Sequence, residues 1–243
     1  CRDVLKQERH RRIANIVHER GGASVAGLSE QFGASEITIR RDLSELAKLG
    51  LLQRAHGGAV ALPPRRREPP VVQRMDLRRS YKQQIARLAA SLVSDHESVF
   101  IGSGTTTAYL AREICSRKEL TVVTNALTVA QELATAASVT IVVMGGMMRP
   151  SELSLVGHIT ESSLREVRVD KVFLGVPAIS VEDGLTNDYL PEVMTDRAII
   201  EMAPELIVLA DHSKIGKSAS AYVAPIERVA VLVGVILKKH YNN

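Results

Sequence analysis

At 243 residues, the chain is long enough for one large domain or two domains of ordinary size. Aromatic residues make up only 3% of it, which argues against nucleic-acid binding by base stacking, and two cysteines without metal-ligand spacing exclude a disulfide framework and predict no metal or cofactor. The net charge of +4 is uneven: residues 1–80 hold 16 Lys and Arg against 9 Asp and Glu, and the remainder holds 15 against 18. Attraction to nucleic-acid phosphates is therefore expected at the N-terminal end.

The sequence also bears on the compartment and on the start of the chain. No apolar run is long enough to span a membrane and no signal-peptide core is present, so we expect a cytoplasmic protein. Because the numbering begins at Cys1 and not at Met, we expect a few residues to precede it.

Three helices are predicted at the N-terminal end, over Val4–Arg20, Ser24–Phe32 and Ser35–Leu49. The second and third are joined through Gly33-Ala34, which predicts a helix-turn-helix whose second helix enters the major groove of DNA. In that helix Ile39, Leu43 and Leu46 share one face, Ser35 is the expected N-cap and Gly50 the expected stop. The opposite face is offered outward and contains Ile37, Arg41, Ser44, Glu45 and Lys48.

A strand, tight turn and strand are predicted next, with Leu51–Ala55 and Ala59–Leu62 on either side of His56-Gly57-Gly58. Such a hairpin is typical of the wing of a winged helix-turn-helix, in which Arg54 and His56 would contact phosphates. The alternative is that His56 is only a turn residue.

The string Thr38–Leu43, followed by Gly50, Arg54 and His56–Ala59, resembles the DNA-binding domain of DeoR-family bacterial transcriptional regulators. Ala34 departs from the Val that is usual in the family, without touching the groove-facing residues. The candidate DNA contacts are Ser35, Glu36, Ile37, Thr38, Arg40, Arg41, Ser44, Lys48, Arg54 and His56.

Four prolines and three arginines within residues 63–70 predict an extended linker. Its arginines would add nonspecific DNA affinity or serve only solubility. We therefore expect a DNA-binding domain at 1–62, a linker at 63–76 and an effector-binding and oligomerisation domain at 77–243.

From Leu77 onward, short β-branched runs alternate with helical patterns, which predicts an α/β domain with a mostly parallel sheet. Ligands bind such sheets at the carboxyl ends of the strands. After Ile101, the segment Gly102–Thr107 combines glycines with the start of a helix, and this arrangement favours an anion. It lacks the motifs of a Walker A loop and of a dinucleotide site, and the alternative is a tight turn with threonine caps.

Further polar residues follow other strands: Asn125, Gly145-Gly146 and the run Asp211–Lys214. With Asp183, they predict a pocket suited to sugar hydroxyls and an anionic group. For Lys214, a surface position in a loop is the alternative.

This half resembles the DeoR-family effector domain, in the strings Gly102–Thr106, Thr124-Asn125, Gly145-Gly146, Asp170-Lys171, Gly184–Thr186 and Asp211 with Ser213-Lys214. The resemblance implies a fold similar to ribose-5-phosphate isomerase and a phosphorylated sugar as effector. It places the phosphate at Gly102, Ser103, Gly104, Thr105 and Thr106, and the sugar at Asn125, Gly146, Asp183, Asp211 and Lys214. Beyond Val233 the sequence departs from the family.

Two classes of function are compatible with these features. The first is a DNA-binding transcriptional regulator, by resemblance a repressor of a sugar catabolism operon, whose affinity for operator DNA a sugar phosphate modulates. The second is a sugar-phosphate isomerase with an accessory DNA-binding arm, using Asp183, Asp211 and Lys214. The complete winged helix favours the regulator, which we expect to be a homodimer or homotetramer because one winged helix reads too few base pairs.

Overall fold

The computed structural model describes residues 2–48, 51–60 and 69–234. The chain forms two compact units, and the boundary between them falls between residues 67 and 68, apart from residues 220–222, which group with the first unit. Several sequence predictions lie outside the described residues: Leu49 and Gly50 at the end of the recognition helix, residues 61–62 of the wing, residues 63–68 of the linker and residues 235–243. None of the described helices is both long enough and apolar enough to cross a membrane.

The first unit combines helices with a small antiparallel sheet. Its elements are α1 (Arg2–Arg20), β1 (Gly22–Ser24), α2 (Val25–Phe32), α3 (Glu36–Lys48), β2 (Gln53–Ala55) and β3 (Gly58–Val60). The strand β3 lies between β1 and β2. The three predicted helices and the hairpin are confirmed, whereas β1 was not predicted because three residues are too few to show an alternating pattern.

The core of this unit forms where its three helices meet. Ile13 of α1, Leu28 of α2 and Leu43 of α3 are each at most 1% exposed, and Leu52 and Ala59 close the core from the hairpin side. Burying an aliphatic side chain contributes about 1.5–3 kcal/mol, so these contacts dominate the stability of so small a unit.

The second unit alternates helices and strands along most of its length. Its helices are α4 (Val71–Arg74), α5 (Arg79–Ala90), α6 (Thr105–Ile114), α7 (Leu127–Leu133), α8 (His158–Arg165) and α9 (Leu190–Ile200), with a 3₁₀ turn at Ile226–Arg228. Its strands are β4 (Ser98–Ile101), β5 (Leu120–Thr124), β6 (Val139–Val143), β7 (Met147–Arg149), β8 (Ser154–Val156), β9 (Lys171–Gly175), β10 (Ala178–Ser180), β11 (Gly184–Asn187), β12 (Glu205–Leu209), β13 (Ala221–Ala224) and β14 (Val231–Val233).

Six of these strands form one parallel sheet in the order β14-β12-β9-β4-β5-β6. Successive side chains point to opposite faces of a strand. In β4 both Val99 and Phe100 are fully buried, and in β9 so are Val172 and Phe173, so both faces of the sheet are covered. The predicted mostly parallel sheet is confirmed, and its carboxyl ends bring together the loops that follow β4, β5, β6, β9 and β12.

Two smaller sheets were not predicted. The strands β7 and β8 form an antiparallel hairpin, and β10, β11 and β13 form a second small sheet. All five strands have only three or four residues, which is too short for a periodic signal. One of them, β10, contacts a predicted effector residue, because the N–H of Ile179 donates to the carbonyl of Lys214 at 3.0 Å.

The end of the predicted linker packs on the second unit. Val71 is fully buried and its N–H donates to the carbonyl of Ser151 at 2.7 Å. Arg74 forms an ion pair with Glu152, of which each side chain is only 12% exposed. From Val71 onward, the chain is therefore held on the second unit by apolar burial, a backbone hydrogen bond and an ion pair.

Candidate functional site

Helix α3 separates an apolar face from a polar one. Ile39 and Leu43 are fully buried, whereas Ile37 on the other side is 80% exposed. The Oγ of Ser35 accepts a hydrogen bond from the N–H of Thr38 at 3.3 Å, so the predicted N-cap is present. The helix thus buries its apolar face and leaves the opposite face exposed.

The candidate DNA contacts lie on that face of α3 and on the hairpin β2–β3, which we call the wing. Apart from Thr38, which is half-buried, all are exposed: Ser35, Glu36, Ile37, Arg40, Arg41, Ser44, Lys48, Arg54 and His56. Arg40 lies 3.0 Å from Glu36 and Arg41 lies 3.5 Å from Glu45, within one helix. Exposed pairs of this kind contribute about 0–1 kcal/mol, so either arginine can turn to a phosphate or base edge at little cost.

One charged residue of α3 faces inward instead. Asp42 is 1% exposed and its carboxylate accepts hydrogen bonds from Arg9 and His10 of α1. Burial alone would raise the pKa of Asp42, but the bonds from Arg9 and His10 outweigh burial and lower that pKa below its ordinary value. This cluster holds the recognition helix against α1.

The wing turns through two residues, His56 and Gly57. Gly57 has φ +76°, a left-handed conformation that glycine adopts without strain. Gly58 has no room for a side chain, since a Cβ there would lie 2.2 Å from the carbonyl oxygen of Ala23 in β1. The two glycines thus shape a short turn that leaves His56 exposed at its tip.

The predicted anion loop joins β4 to the first turn of α6. Gly104 is the N-cap of α6 with φ +134°, and no side chain within the described residues caps this helix. Thr105 and Thr106, at the first two positions of the helix, are at most 9% exposed. The uncapped N–H groups and the helix dipole make this end of α6 suitable for an anion.

Cations gather around Asp211, which follows β12. Asp211 is 5% exposed, and its carboxylate accepts the N–H of Ser213 at 2.8 Å. Burial acts to raise the pKa of Asp211, but the bonds from Ser213 and the charges of Arg78 and Lys214 lower it overall. The ammonium group of Lys82 donates to the carbonyl of Arg74, and the charges of Asp211, Lys214 and Arg78 also act on it.

Lys82 is buried, and its pKa is lowered. It is 5% exposed, and burial chiefly, helped by the charges of Arg74, Lys214 and Arg78, lowers its pKa to about 8, while Asp211 partly offsets them. Several cations held around one carboxylate favour the binding of an anionic group. The described residues offer no group of three His, Cys, Asp or Glu side chains placed to hold a metal ion.

Comparison with known proteins decides the family. Residues 9–65 match the DeoR-like helix-turn-helix domain, and residues 78–234 match the DeoR C terminal sensor domain. The chain belongs to the DeoR family of transcriptional regulators. The winged helix-turn-helix of the first unit and the α/β fold of the second are those of this family.

Curated relatives in the DeoR family align with nearly the whole chain. The glycerol-3-phosphate regulon repressor of Escherichia coli is 35% identical over 93% of this chain and 89% of its own length. The transcriptional repressor AccR of Agrobacterium fabrum is 34% identical over 93% of this chain and 88% of its own length. Among solved structures, ribose 5-phosphate isomerase A from Methanocaldococcus jannaschii is similar with a TM-score of 0.42 and 19% identity, covering 56% of this chain and 54% of that one.

Within this DeoR-family sensor, the structure places Asn125 and Gly146 at the strand ends, as expected. Asn125 is 1% exposed and its Nδ2 donates to the carbonyl of Leu155 at 3.0 Å. Gly146 follows β6 and has a packing role, because a Cβ there would lie 2.0 Å from the Oγ1 of Thr160.

Asp183 is placed differently from the other predicted effector residues. It is exposed at the turn between β10 and β11, where its N–H donates to the Oγ of Ser180 at 3.0 Å and its carboxylate accepts the hydroxyl of Ser218. These contacts hold Asp183 between the end of β10 and Ser218.

Four buried charged residues were missed by the sequence analysis: Asp42, Lys82, Glu152 and Glu192. Glu192 lies in α9, 5% exposed, and shares the side-chain amide of Asn187 with Asp196. Burial and the charge of Glu192 raise the pKa of Asp196 well above its ordinary value. A sequence signal did exist for Asp42 and Lys82, since each stands three or four positions from apolar core residues of its own helix.

Proposed function

We propose that this DeoR-family protein is a repressor of a sugar catabolism operon, and that a phosphorylated sugar modulates its affinity for operator DNA. The observation that supports this most directly is the occurrence, in one chain, of an exposed recognition helix, an uncapped helix end at the anion loop and a group of lysines and arginines around Asp211. Relatives named as repressors, including that of the glycerol-3-phosphate regulon, are in keeping with the proposal.

The DNA contacts are proposed to be the exposed residues of α3 and the wing. Arg40 and Arg41 would reach a base edge or phosphates, and Ile37 would contact a thymine methyl group. Arg54 and His56 would bind phosphates beside the groove. We propose 1–62 as the DNA-binding domain, with the linker ending at Val71, where specific packing begins.

The effector phosphate is proposed to bind the loop Gly102–Thr106, with Lys82 and Lys214 supplying positive charge. The sugar would extend toward Asn125 and Asp211 at the neighbouring strand ends. An effector shifts DNA binding only through its differential affinity for the DNA-competent and DNA-free arrangements. The coupling free energy between effector and DNA binding is expected to be about 1–3 kcal/mol, and we expect the effector to weaken DNA binding.

A ligand screen followed by a DNA-binding assay tests this function. The unfolding temperature would be measured with ribose 5-phosphate, glycerol 3-phosphate and their unphosphorylated parents, since a ligand at 100 times its dissociation constant stabilises the native state by about 2.7 kcal/mol. Active compounds would then be added to the protein bound to DNA that it selects from a random pool. Stabilisation by an ester that leaves DNA affinity unchanged would overturn the proposal.

The protein is proposed to act in the cytoplasm as a homodimer or homotetramer, joined mainly through residues 77–243. Paired half-sites about one DNA turn apart call for two-fold symmetry. Light scattering at micromolar concentration tests this, and a monomer would contradict it.

We propose no enzymatic activity, although Asp211 and Lys214 are groups that an isomerase could use. The same purified protein incubated with ribose 5-phosphate distinguishes binding from turnover, and formation of ribulose 5-phosphate would favour the isomerase.

A further inference from the structure

Glu192 accepts hydrogen bonds from three separate elements and from the anion loop. Arg149 of β7 forms an ion pair with it, the Oγ of Ser154 in β8 lies 3.0 Å away and the Nδ2 of Asn187 in β11 also lies at 3.0 Å. The fourth donor is the Oγ of Ser103 in the anion loop, at 3.4 Å. The buried carboxylate of Glu192 is thus directly connected to the loop proposed to bind phosphate.

The bond from Ser103 is the one that a ligand can most easily replace. A carboxylate offers about four acceptor positions, and Glu192 fills them with four donors. Ser154 and Asn187 donate at 3.0 Å and Arg149 forms an ion pair, whereas the Ser103 contact at 3.4 Å is near the limit of a hydrogen bond. A serine hydroxyl has one proton, so Ser103 cannot donate to Glu192 and to a bound phosphate at once.

Asn125 adds an acceptor next to the strand β8, which carries Ser154. Its Oδ1 is buried and accepts no hydrogen bond from the residues that the structure describes. Its backbone carbonyl accepts the N–H of Leu155, the neighbour of Ser154, at 2.7 Å. A buried acceptor without a donor is unfavourable by about 1–3 kcal/mol, and a ligand hydroxyl group would satisfy it.

Arg149 pairs with Glu192 and holds it in place. Its guanidinium lies 4.3 Å from the ring centroid of Tyr189, which fixes the arginine against α9 as well as against the carboxylate. An ionised carboxylate accepts hydrogen bonds from hydroxyl groups more strongly than a neutral group does.

We infer that Glu192 and Asn125 bind hydroxyl groups of a phosphorylated sugar or polyol, and that phosphate at the anion loop frees the Glu192 acceptor by turning Ser103 away. The inference rests on the proposed function and specifies its ligand as a single molecule with both a phosphate and hydroxyl groups. Inorganic phosphate would contact only the anion loop. With an unphosphorylated sugar, Ser103 would still donate to Glu192 and compete with the sugar hydroxyl groups.

Calorimetric titration of the full-length protein with inorganic phosphate, glycerol 3-phosphate and ribose 5-phosphate tests this. In Glu192→Gln, the affinity for ribose 5-phosphate should fall at least tenfold, while that for inorganic phosphate should change less than twofold. Glu192→Asp keeps the charge that Arg149 needs and withdraws the oxygens by one methylene, so it should fold and show the same selective loss. Glu97→Gln breaks a comparable ion pair, with Lys171 at 2.7 Å, and should bind all three compounds like wild type.

The unfolding temperature of each variant separates recognition from a purely structural role. The inference is overturned if both Glu192 variants bind ribose 5-phosphate as wild type does, or if they lose inorganic phosphate by the same factor. If wild type binds none of the three compounds, the proposed function fails and the inference fails with it. If wild type binds them and only the selective loss is missing, the proposed function stands without Glu192.

Discussion

Arg9 in α1 donates two hydrogen bonds to Asp42 in α3, from Nε to Oδ2 at 2.6 Å and from Nη2 to Oδ1 at 3.1 Å. The pair joins the first helix of the DNA-binding unit to its recognition helix. Because Asp42 is buried on the side of α3 away from the exposed candidate DNA contacts, we expect the pair to position the helix without touching DNA.

Replacing Asp42 by Ala should destabilise the DNA-binding unit by about 1–3 kcal/mol, because Arg9 and His10 would lose their shared acceptor. Hydrogen exchange of the amides in α1 and α3 of the full-length protein measures this free energy of opening. Arg41→Ala, on the exposed side of the same helix, should change it by no more than about 0.5 kcal/mol. Equal protection in wild type and Asp42→Ala would contradict the structural role of the pair.

Gly58→Ala should damage the wing. The new Cβ would lie 2.2 Å from a backbone oxygen of Ala23, so β1 or β3 must move, and overpacking of this kind costs about 1–3 kcal/mol. Gly57→Asn is the matched control, since Asn tolerates the left-handed conformation and nothing lies within 4 Å of its Cβ position. We expect weaker DNA binding for the first variant and near wild-type binding for the second. The reverse order would show that the turn conformation, and not the close approach, limits the wing.

Arg40→Ala and Arg41→Ala should separate base reading from phosphate contact. Loss of a base-reading arginine should cost about 1–3 kcal/mol and relax specificity at one base pair. Loss of a phosphate contact should weaken binding to all sequences and reduce the salt dependence by about one charge. Titrations of selected DNA at several salt concentrations distinguish the two. The recognition-helix assignment is wrong if both folded variants bind like wild type.

Affinity for the effector phosphate should fall as the pH rises from 7 to 9. The pKa of Lys82 is lowered to about 8, so its positive charge is present below that pH and is lost above it. A ligand that needs the charge should bind up to about tenfold more weakly at pH 9 than at pH 7. Lys82→Arg keeps its charge throughout this range and should remove the dependence. A flat profile in wild type, measured by titration with ribose 5-phosphate, would exclude Lys82 from the site.

Lys214→Ala should abolish the response to a sugar phosphate while leaving DNA binding without effector intact. Lys214 belongs to the second unit, beside Asp211, and not to the exposed face of α3. DNA release would be followed in both proteins as a function of ester concentration. A wild-type response in the variant, or an equal response to the unphosphorylated sugar, would be evidence that Lys214 does not bind the phosphate group of the effector.

Local sequence signals were enough for the main elements of both units. The stripe of Ile39, Leu43 and Leu46 specifies which face of α3 is buried, since helical periodicity depends only on residues close in the chain. The runs around β4, β9 and β12 likewise predict buried parallel strands, because both faces must be apolar. The exposed candidate DNA contacts follow directly from the first of these patterns.

The tertiary structure decided which buried charges meet. Asp42 and Lys82 each stand on the apolar side of a helix, a feature visible in the sequence. The partners of Asp42 and Glu192, however, lie at distances along the chain that no local pattern encodes. The pairing of Asp42 with Arg9 spans 33 residues and that of Glu192 with Ser103 spans 89. The sequence by itself determined the elements, the exposed face of α3 and the glycine-rich loop, because these depend on neighbouring residues. Only the fold brought Glu192 to that loop, because this position depends on how elements distant in sequence pack together.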